Sequence, residues 1–138
     1  MPKSGPIIIV EDDADDQELI REVFAELKIP NMLRFFNSCL DALDYLLTTI
    51  EKPFLIISDI NLPAMSGFDF LKRIRENHSL QMKCIPFIFF TTASNNAMIQ
   101  QAYQLPAQGF FIKPLTEGQL RGTLNAILEY WKISSIPQ

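Results

Sequence analysis

The chain has 138 residues, 48% of them hydrophobic, and a formal net charge of −4. This length is near the commonest domain size, so we expect one domain over residues 1–138. No apolar run approaches the roughly 18 residues of a membrane span, and the acidic balance argues against a nucleic-acid backbone as partner. The N-terminus lacks a signal-peptide pattern, which predicts a cytoplasmic protein.

The first element is the run IIIV (7–10), which five acids follow within six positions. A short, β-branched run of this kind predicts a strand. The acids have two interpretations, because they would favour the N-terminus of a helix or would hold a cation. Asp15 and Glu18 have the spacing of a capping box for the helix that follows.

The rest of the chain alternates between short apolar runs and segments of helical periodicity. The further predicted strands are LRFF (33–36), FLIIS (54–58), PFIFF (86–90) and GFFI (109–112). The apolar faces of the five predicted helices are Leu19, Ile20, Val23, Phe24 and Leu27; Leu40, Leu43, Leu46 and Leu47; Phe68, Leu71 and Ile74; Met98, Ile99, Ala102 and Tyr103; and Leu120, Leu124, Ile127, Leu128 and Trp131.

Five strands, each followed by a helix, predict an α/β fold with a doubly wound (βα)5 parallel sheet. The common five-strand order is 2-1-3-4-5, and ligands then bind at the carboxyl ends of strands 1 and 3. Polar residues at the ends of the strands are therefore candidates for a site.

Polar side chains follow four of the strands. Glu11 and Asp12 end the first, Asp59 the third, Thr92 the fourth and Lys113 the fifth. Carboxylates suit Mg²⁺, a lysine and a hydroxyl suit an anion, and an aspartate can be the nucleophile in phosphoryl transfer. Each residue alone has an ordinary structural interpretation as a turn, cap or surface residue, but their convergence on one edge favours a site.

The motifs IIIVEDD, SDINLPAMSGFDFL, FFTTAS and FFIKPL together resemble the receiver domain of two-component response regulators, a flavodoxin-like fold. The similarity extends to stand-alone chemotaxis regulators and to small receivers that act with phytochrome-like kinases. It implies that Asp59 accepts a phosphoryl group from a sensor histidine kinase or a phosphotransfer protein. It also implies Mg²⁺ bound by Asp12 and Asp59 directly, by Glu11 through water, and by the backbone carbonyl of Asn61.

The resemblance further implies that Thr92 and Lys113 meet the phosphoryl oxygens and that the Lys113–Pro114 peptide bond is cis. Thr92 and Phe110 would be the switch residues, and the fourth helix, fifth strand and last helix would form the face that contacts an unidentified downstream protein. Such a protein is a signalling switch that promotes its own phosphorylation and dephosphorylation rather than an enzyme. Asn61 and Ser94 would affect the access of water to the site.

Two other functions stay open on the sequence. One is a phosphatase of the haloacid-dehalogenase type, although its nucleophile opens an acid-x-acid motif on the first strand, whereas Asp59 follows the third and Asn61 stands two residues later. The other is a receiver-like scaffold that is not phosphorylated. A flavin-binding function is excluded, because the acids after the first strand would repel the phosphate of FMN.

The end of the chain, EYWKISSIPQ, places apolar residues beyond the expected end of the last helix. We take 7–131 as the folded core and 132–138 as a tail. The tail either folds back on its own domain or frays, or it pairs two copies together with the last helix. Cys39 and Cys84 match no metal-ligand spacing and are expected to be buried thiols. His78 is expected in a polar surface turn.

Overall fold

The computed structural model describes residues 2–92, 95–105 and 107–136. Its five strands form one parallel sheet in the order β2-β1-β3-β4-β5, which is the predicted order. The strands are β1 (Ile7–Val10), β2 (Leu33–Phe36), β3 (Leu55–Ser58), β4 (Phe87–Thr91) and β5 (Gly109–Ile112).

The described residues form six α-helices, one more than predicted, after a short 3-10 helix at Pro2–Ser4. The α-helices are α1 (Ala14–Glu26), α2 (Cys39–Thr48), α3 (Gly67–Glu76), α4 (His78–Met82), α5 (Asn96–Gln104) and α6 (Glu117–Ile133). The additional helix is α4, in the segment expected to be a polar turn. It forms because the Asn77 side chain caps it by accepting the Leu80 N–H, and because Leu80 is buried.

Helices cover both faces of the sheet, and each face has its own hydrophobic cluster. Ile8, Val10 and Phe89 pack with residues of α2, α3, α4 and α5 in the first cluster. Ile7 and Ile9 pack with residues of α1 and α6 in the second. Neighbouring strand residues point to opposite faces, so the inner strands are buried on both sides and show no polar alternation.

Of the predictions about individual helices, the α2 face was right for Leu43 and Leu46 and wrong for Leu40 and Leu47, and the α1 cap was wrong. The buried face of α2 is Cys39, Ala42, Leu43 and Leu46, while Leu40 and Leu47 are about half exposed. Both sets have helical spacing, so periodicity alone did not identify the inner face. The α1 cap is not the Asp15–Glu18 box, because Asp13 is the N-cap and accepts the backbone N–H groups of Asp15 and Asp16.

The last helix is longer than expected, because α6 continues past Trp131 to Ile133. Trp131 and Ile136 pack against the second cluster, whereas Ile133 is exposed. The chain therefore turns back onto its own domain at Ile136. Among the described residues, no helix combines the length and apolar character needed to cross a membrane.

Candidate functional site

The carboxyl ends of β1 and β3 bring three carboxylates together. Glu11, Asp12 and Asp59 each offer a carboxylate oxygen, and these oxygens lie within 4.8 Å of one another. The sheet sets their positions, because Glu11 N–H donates to the Phe36 carbonyl and Asp59 N–H to the Val10 carbonyl, both at 3.0 Å. The backbone hydrogen bonds of the sheet thus continue one residue past the ends of β1 and β3, and they fix the backbone of Glu11 and Asp59.

Both oxygens of the Asp59 carboxylate have donors. Oδ1 accepts the Ile60 N–H at 2.6 Å, and Oδ2 accepts from Lys113 Nζ at 3.1 Å. The residue is buried but not sealed, with 8% of its surface exposed. An oriented and still accessible carboxylate of this kind is suited to nucleophilic attack.

Lys113 follows β5 directly and brings a positively charged side chain to the three carboxylates. Its N–H donates to the Thr91 carbonyl at 2.7 Å, and its Nζ contacts Glu11, Asp16 and Asp59. Burial favours the neutral amine, but hydrogen bonds and charge attraction from Glu11 and Asp59 outweigh it and raise the Lys113 pKa above its ordinary value. The lysine therefore stays charged, which partly neutralises the acids around it.

The Lys113–Pro114 peptide bond is trans, since no peptide bond between described residues is cis. The prediction of a cis bond, which the family resemblance implied, was therefore wrong for this structure. Trans is the intrinsically favoured isomer of an X–Pro bond, by about 0.5–1 kcal/mol.

The residues fit a hard divalent cation. Three carboxylates meet at one point, and neither cysteine nor histidine belongs to the group, so the donor set suits Mg²⁺ better than zinc. Burial raises the pKa of Glu11, while hydrogen bonds from Lys113 and the Asp13 N–H lower it and only partly offset the burial. A bound cation would stabilise the ionised form of this buried acid.

The loop after Asp59 is tightly turned. Gly67 N–H returns to the Ile60 carbonyl at 2.9 Å, and Ala64 has a φ of 68°, in the left-handed region. A Cβ on Gly67 would lie 2.2 Å from the Asp59 carbonyl oxygen, so only glycine fits there. Asn61 is exposed within this loop, two residues after Asp59.

The other predicted site residues have different surroundings. Thr92 is exposed and comes directly after β4, at the same edge of the sheet as the carboxylates. Phe110 is half-buried, packs against the first cluster and has its ring centre 6.3 Å from that of Phe89. Ser94 lies outside the described residues.

Sequence reasoning missed one contact of the site. Asp16 was assigned only to the start of a helix, yet its Oδ2 lies 3.2 Å from Lys113 Nζ. The available signal was its spacing, because it stands in the first turn of a helix that starts at the same sheet edge as Glu11. Neither the direction of the side chain nor the reach of Lys113 follows from spacing.

The cysteines and the histidine take no part in the site. Cys39 is fully buried, and burial raises the pKa of its thiol to about 12. The prediction that both thiols are buried was wrong for Cys84, which is exposed. Cys84 follows α4 with a left-handed φ of 52°, at a helix end where the chain reaches the surface. His78 is exposed.

Comparisons with known proteins agree with this geometry. Residues 7–125 match the family model described as "Response regulator receiver domain". The chain is 29% identical to the probable chemotaxis protein CheY of Rhizobium etli, over 88% of this chain and 90% of that protein. It is also 29% identical to the response regulator Rcp1 of Synechocystis, over 91% of this chain and 87% of that protein.

Solved structures show the same fold. The phosphorylated cyanobacterial phytochrome response regulator RcpA superposes with a TM-score of 0.87 and 27% identity, covering 97% of this chain and 99% of that one. The Mn²⁺-bound form of Rcp1 superposes with a TM-score of 0.85 and 26% identity, with the same coverage.

Proposed function

We propose, because the chain belongs to the response regulator receiver family, that it is a signalling switch in which Asp59 accepts a phosphoryl group. The observation that carries the proposal is the arrangement around Asp59. Its carboxylate lies 3.1 Å from the Lys113 ammonium, and it offers an oxygen within 4.8 Å of oxygens of the Glu11 and Asp12 carboxylates. These are the groups that phosphoryl transfer to an aspartate requires.

The proposed reaction is an in-line displacement. An Asp59 carboxylate oxygen forms a bond to phosphorus while the P–N bond to a donor histidine breaks. The electron pair of that bond stays on the imidazole nitrogen, which then takes up a proton. Lys113 and Thr92 stabilise the negative charge on the transferring oxygens, so the acceptor supplies much of the catalysis.

Glu11, Asp12 and Asp59 are the residues that would hold Mg²⁺, with the Asn61 carbonyl as a further ligand. The cation supplies charge neutralisation for the phosphoryl oxygens when bound. The relatives support this assignment, because Rcp1 has a solved Mn²⁺-bound form and RcpA a solved phosphorylated form.

The partners follow from the same proposal. A sensor histidine kinase or phosphotransfer protein in the cytoplasm supplies the phosphoryl group. Thr92 and Phe110 then carry the change to the face formed by α5, β5 and α6, which contacts a downstream protein. Pairing of two copies through α6 would use Tyr130 and Ile133, because these are exposed while Ile136 packs inward.

Acetyl phosphate tests the phosphorylation directly. With Mg²⁺ present, we expect the wild-type protein to gain one phosphoryl group, resolved on a phosphate-affinity gel. Asp59→Asn should show none, because the amide cannot form the acyl phosphate. Asp41→Asn is the matched control, since Asp41 is an exposed acid in the first turn of α2.

Equal modification of wild type and Asp59→Asn would contradict the proposal. Omitting Mg²⁺ should reduce the modification strongly, and its persistence would contradict the assignment of the carboxylates. Rapid turnover of small phosphate esters would instead favour a phosphatase.

A further inference from the structure

Lys113 has a carboxylate neighbour that the phosphoryl-transfer proposal does not use. Asp16 lies in the first turn of α1, where its backbone N–H is capped by Asp13. Its side chain contacts Lys113, and its Oδ2 is 3.2 Å from Lys113 Nζ. Asp16 is outside the group of three carboxylates that can share a cation, so its contact in the site is with the lysine.

The Lys113 ammonium has no donor to spare. An ammonium has three N–H groups, and Nζ donates to Glu11, Asp16 and Asp59. A phosphoryl oxygen arriving at Asp59 therefore gains a Lys113 hydrogen bond only if one carboxylate gives up its own.

The three carboxylates differ in how easily they can be released. The side chains of Glu11 and Asp59 are 3% and 10% exposed, while that of Asp16 is 37% exposed. A released carboxylate needs water in place of the lysine, so release of the buried Glu11 would leave it unpaired at a high free-energy cost. Asp59 is itself the modified group and frees only the one N–H that it already accepts. Asp16 can be hydrated in place, and its release disturbs none of the three carboxylates that can share a cation.

We propose that Asp16 is a positioning residue that holds the third N–H of Lys113 in the unmodified protein and releases it to the phosphoryl oxygen. This inference rests on the proposed function. Asp16 keeps the ammonium directed at Asp59 before transfer, and it also competes with the phosphoryl group for that ammonium. Removing its charge therefore strengthens the hold of Lys113 on a bound phosphoryl group.

Beryllofluoride, a non-transferable analogue of the phosphoryl group, provides the test. Its dissociation constant is measured by calorimetry at saturating Mg²⁺ for wild type, Asp16→Asn, Asp16→Glu and Asp15→Asn. Asp15→Asn is the matched control, because Asp15 is an exposed acid in the same helical turn. In the described structure the ion pairs of the Lys113 ammonium are with Glu11, Asp16 and Asp59 and not with Asp15. The Mg²⁺ dissociation constant of each protein is measured separately, without beryllofluoride.

We expect Asp16→Asn to bind beryllofluoride about threefold to fivefold more tightly, as for the loss of a partly exposed ion pair. Asp15→Asn should change the affinity by less than about twofold, since exposed charges are screened. Asp16→Glu retains the carboxylate and should return the affinity towards wild type. Mg²⁺ affinity should not rise in Asp16→Asn, which separates release of Lys113 from a better cation site.

Three outcomes overturn the inference. Equal affinities in Asp16→Asn and Asp15→Asn would show that the contact with Lys113 has no role. Weaker binding in Asp16→Asn would show that Asp16 does not compete with the phosphoryl group. A folded wild-type protein that does not bind beryllofluoride would refute the proposed function, and this inference with it, whereas the first two outcomes leave that function standing.

Discussion

Two adjacent threonines at the end of β4 have opposite environments. Thr91 is fully buried on the same side of its strand as Phe87 and Phe89, and its Oγ1 has no hydrogen-bond partner among the described residues. Thr92 is exposed at the edge that carries the site. Both faces of β4 are buried, so the difference arises because Thr91 ends the strand and Thr92 lies beyond it. The Thr92 hydroxyl is thus available to a ligand. The Thr91 hydroxyl is removed from water without gaining a hydrogen bond, which lowers the stability of the folded protein.

Replacing Thr91 with valine should stabilise the protein. Valine has the same shape and removes a buried hydroxyl without a partner, so the free energy of unfolding should rise by about 1 kcal/mol. Thr92→Val is the control, and it should change stability by less than about 0.5 kcal/mol because the side chain is exposed. Urea unfolding followed by circular dichroism measures both. A loss of stability in Thr91→Val would show that the hydroxyl has a partner in the folded protein.

The loop between β3 and α3 connects the proposed phosphoacceptor to the rest of the domain. It closes through two backbone hydrogen bonds to the Ile60 carbonyl, one from Leu62 and one from Gly67. The Ser66 side chain caps α3 by accepting the Asp69 N–H. Because Asp59 begins this loop, any shift of the loop backbone moves the carboxylate as well.

Gly67→Ala should disturb both stability and the site. The added methyl would meet the Asp59 carbonyl oxygen and the Ile60 Cα, and forcing this contact apart should cost about 2 kcal/mol. Phosphorylation by acetyl phosphate should also slow, because the Asp59 backbone has to move. Gly122→Ala is the matched control. A Cβ there has no neighbour within 4 Å, and alanine in α6 should add about 0.5–1 kcal/mol. Unchanged stability in Gly67→Ala would mean that the loop relaxes freely.

At the scale of the whole molecule, the chain end is part of the second hydrophobic cluster. Trp131 and Ile136 extend the layer that α1 and α6 form against the sheet. Tyr130 and Ile133 face away from it and are exposed. The same short segment therefore contributes to stability through one set of residues and offers an apolar surface through another.

Alanine substitutions separate these two roles. Ile136→Ala should lower the free energy of unfolding by about 1 kcal/mol, less than for a fully buried isoleucine. Ile133→Ala should change it by less than about 0.5 kcal/mol, since it is exposed. If two copies pair through α6, sedimentation should show a lower dimer fraction only for Ile133→Ala. Equal stabilities of the two variants would contradict the packing of Ile136.

The sequence by itself determined the sheet and the residues at its carboxyl edge. The run IIIV ends where β1 ends, because a buried parallel strand needs continuous apolar residues. The run GFFI likewise coincides with the edge strand β5, although that strand is only partly buried. Since the carboxyl ends of parallel strands lie at one edge, Glu11, Asp12, Asp59 and Lys113 were expected near one another, and the structure brings them together.

Only the tertiary structure decided which side chains contact one another around the sheet. The contact between Asp16 and Lys113 and the inward packing of Ile136 depend on segments distant in sequence. The cap at Asp13 and the helix at His78–Met82 are formed by local residues. The sequence instead favoured a capping box at Asp15 and Glu18 and a polar turn at His78. Periodicity specifies which residues share a face, whereas side-chain direction and partner choice depend on the packing of the other elements.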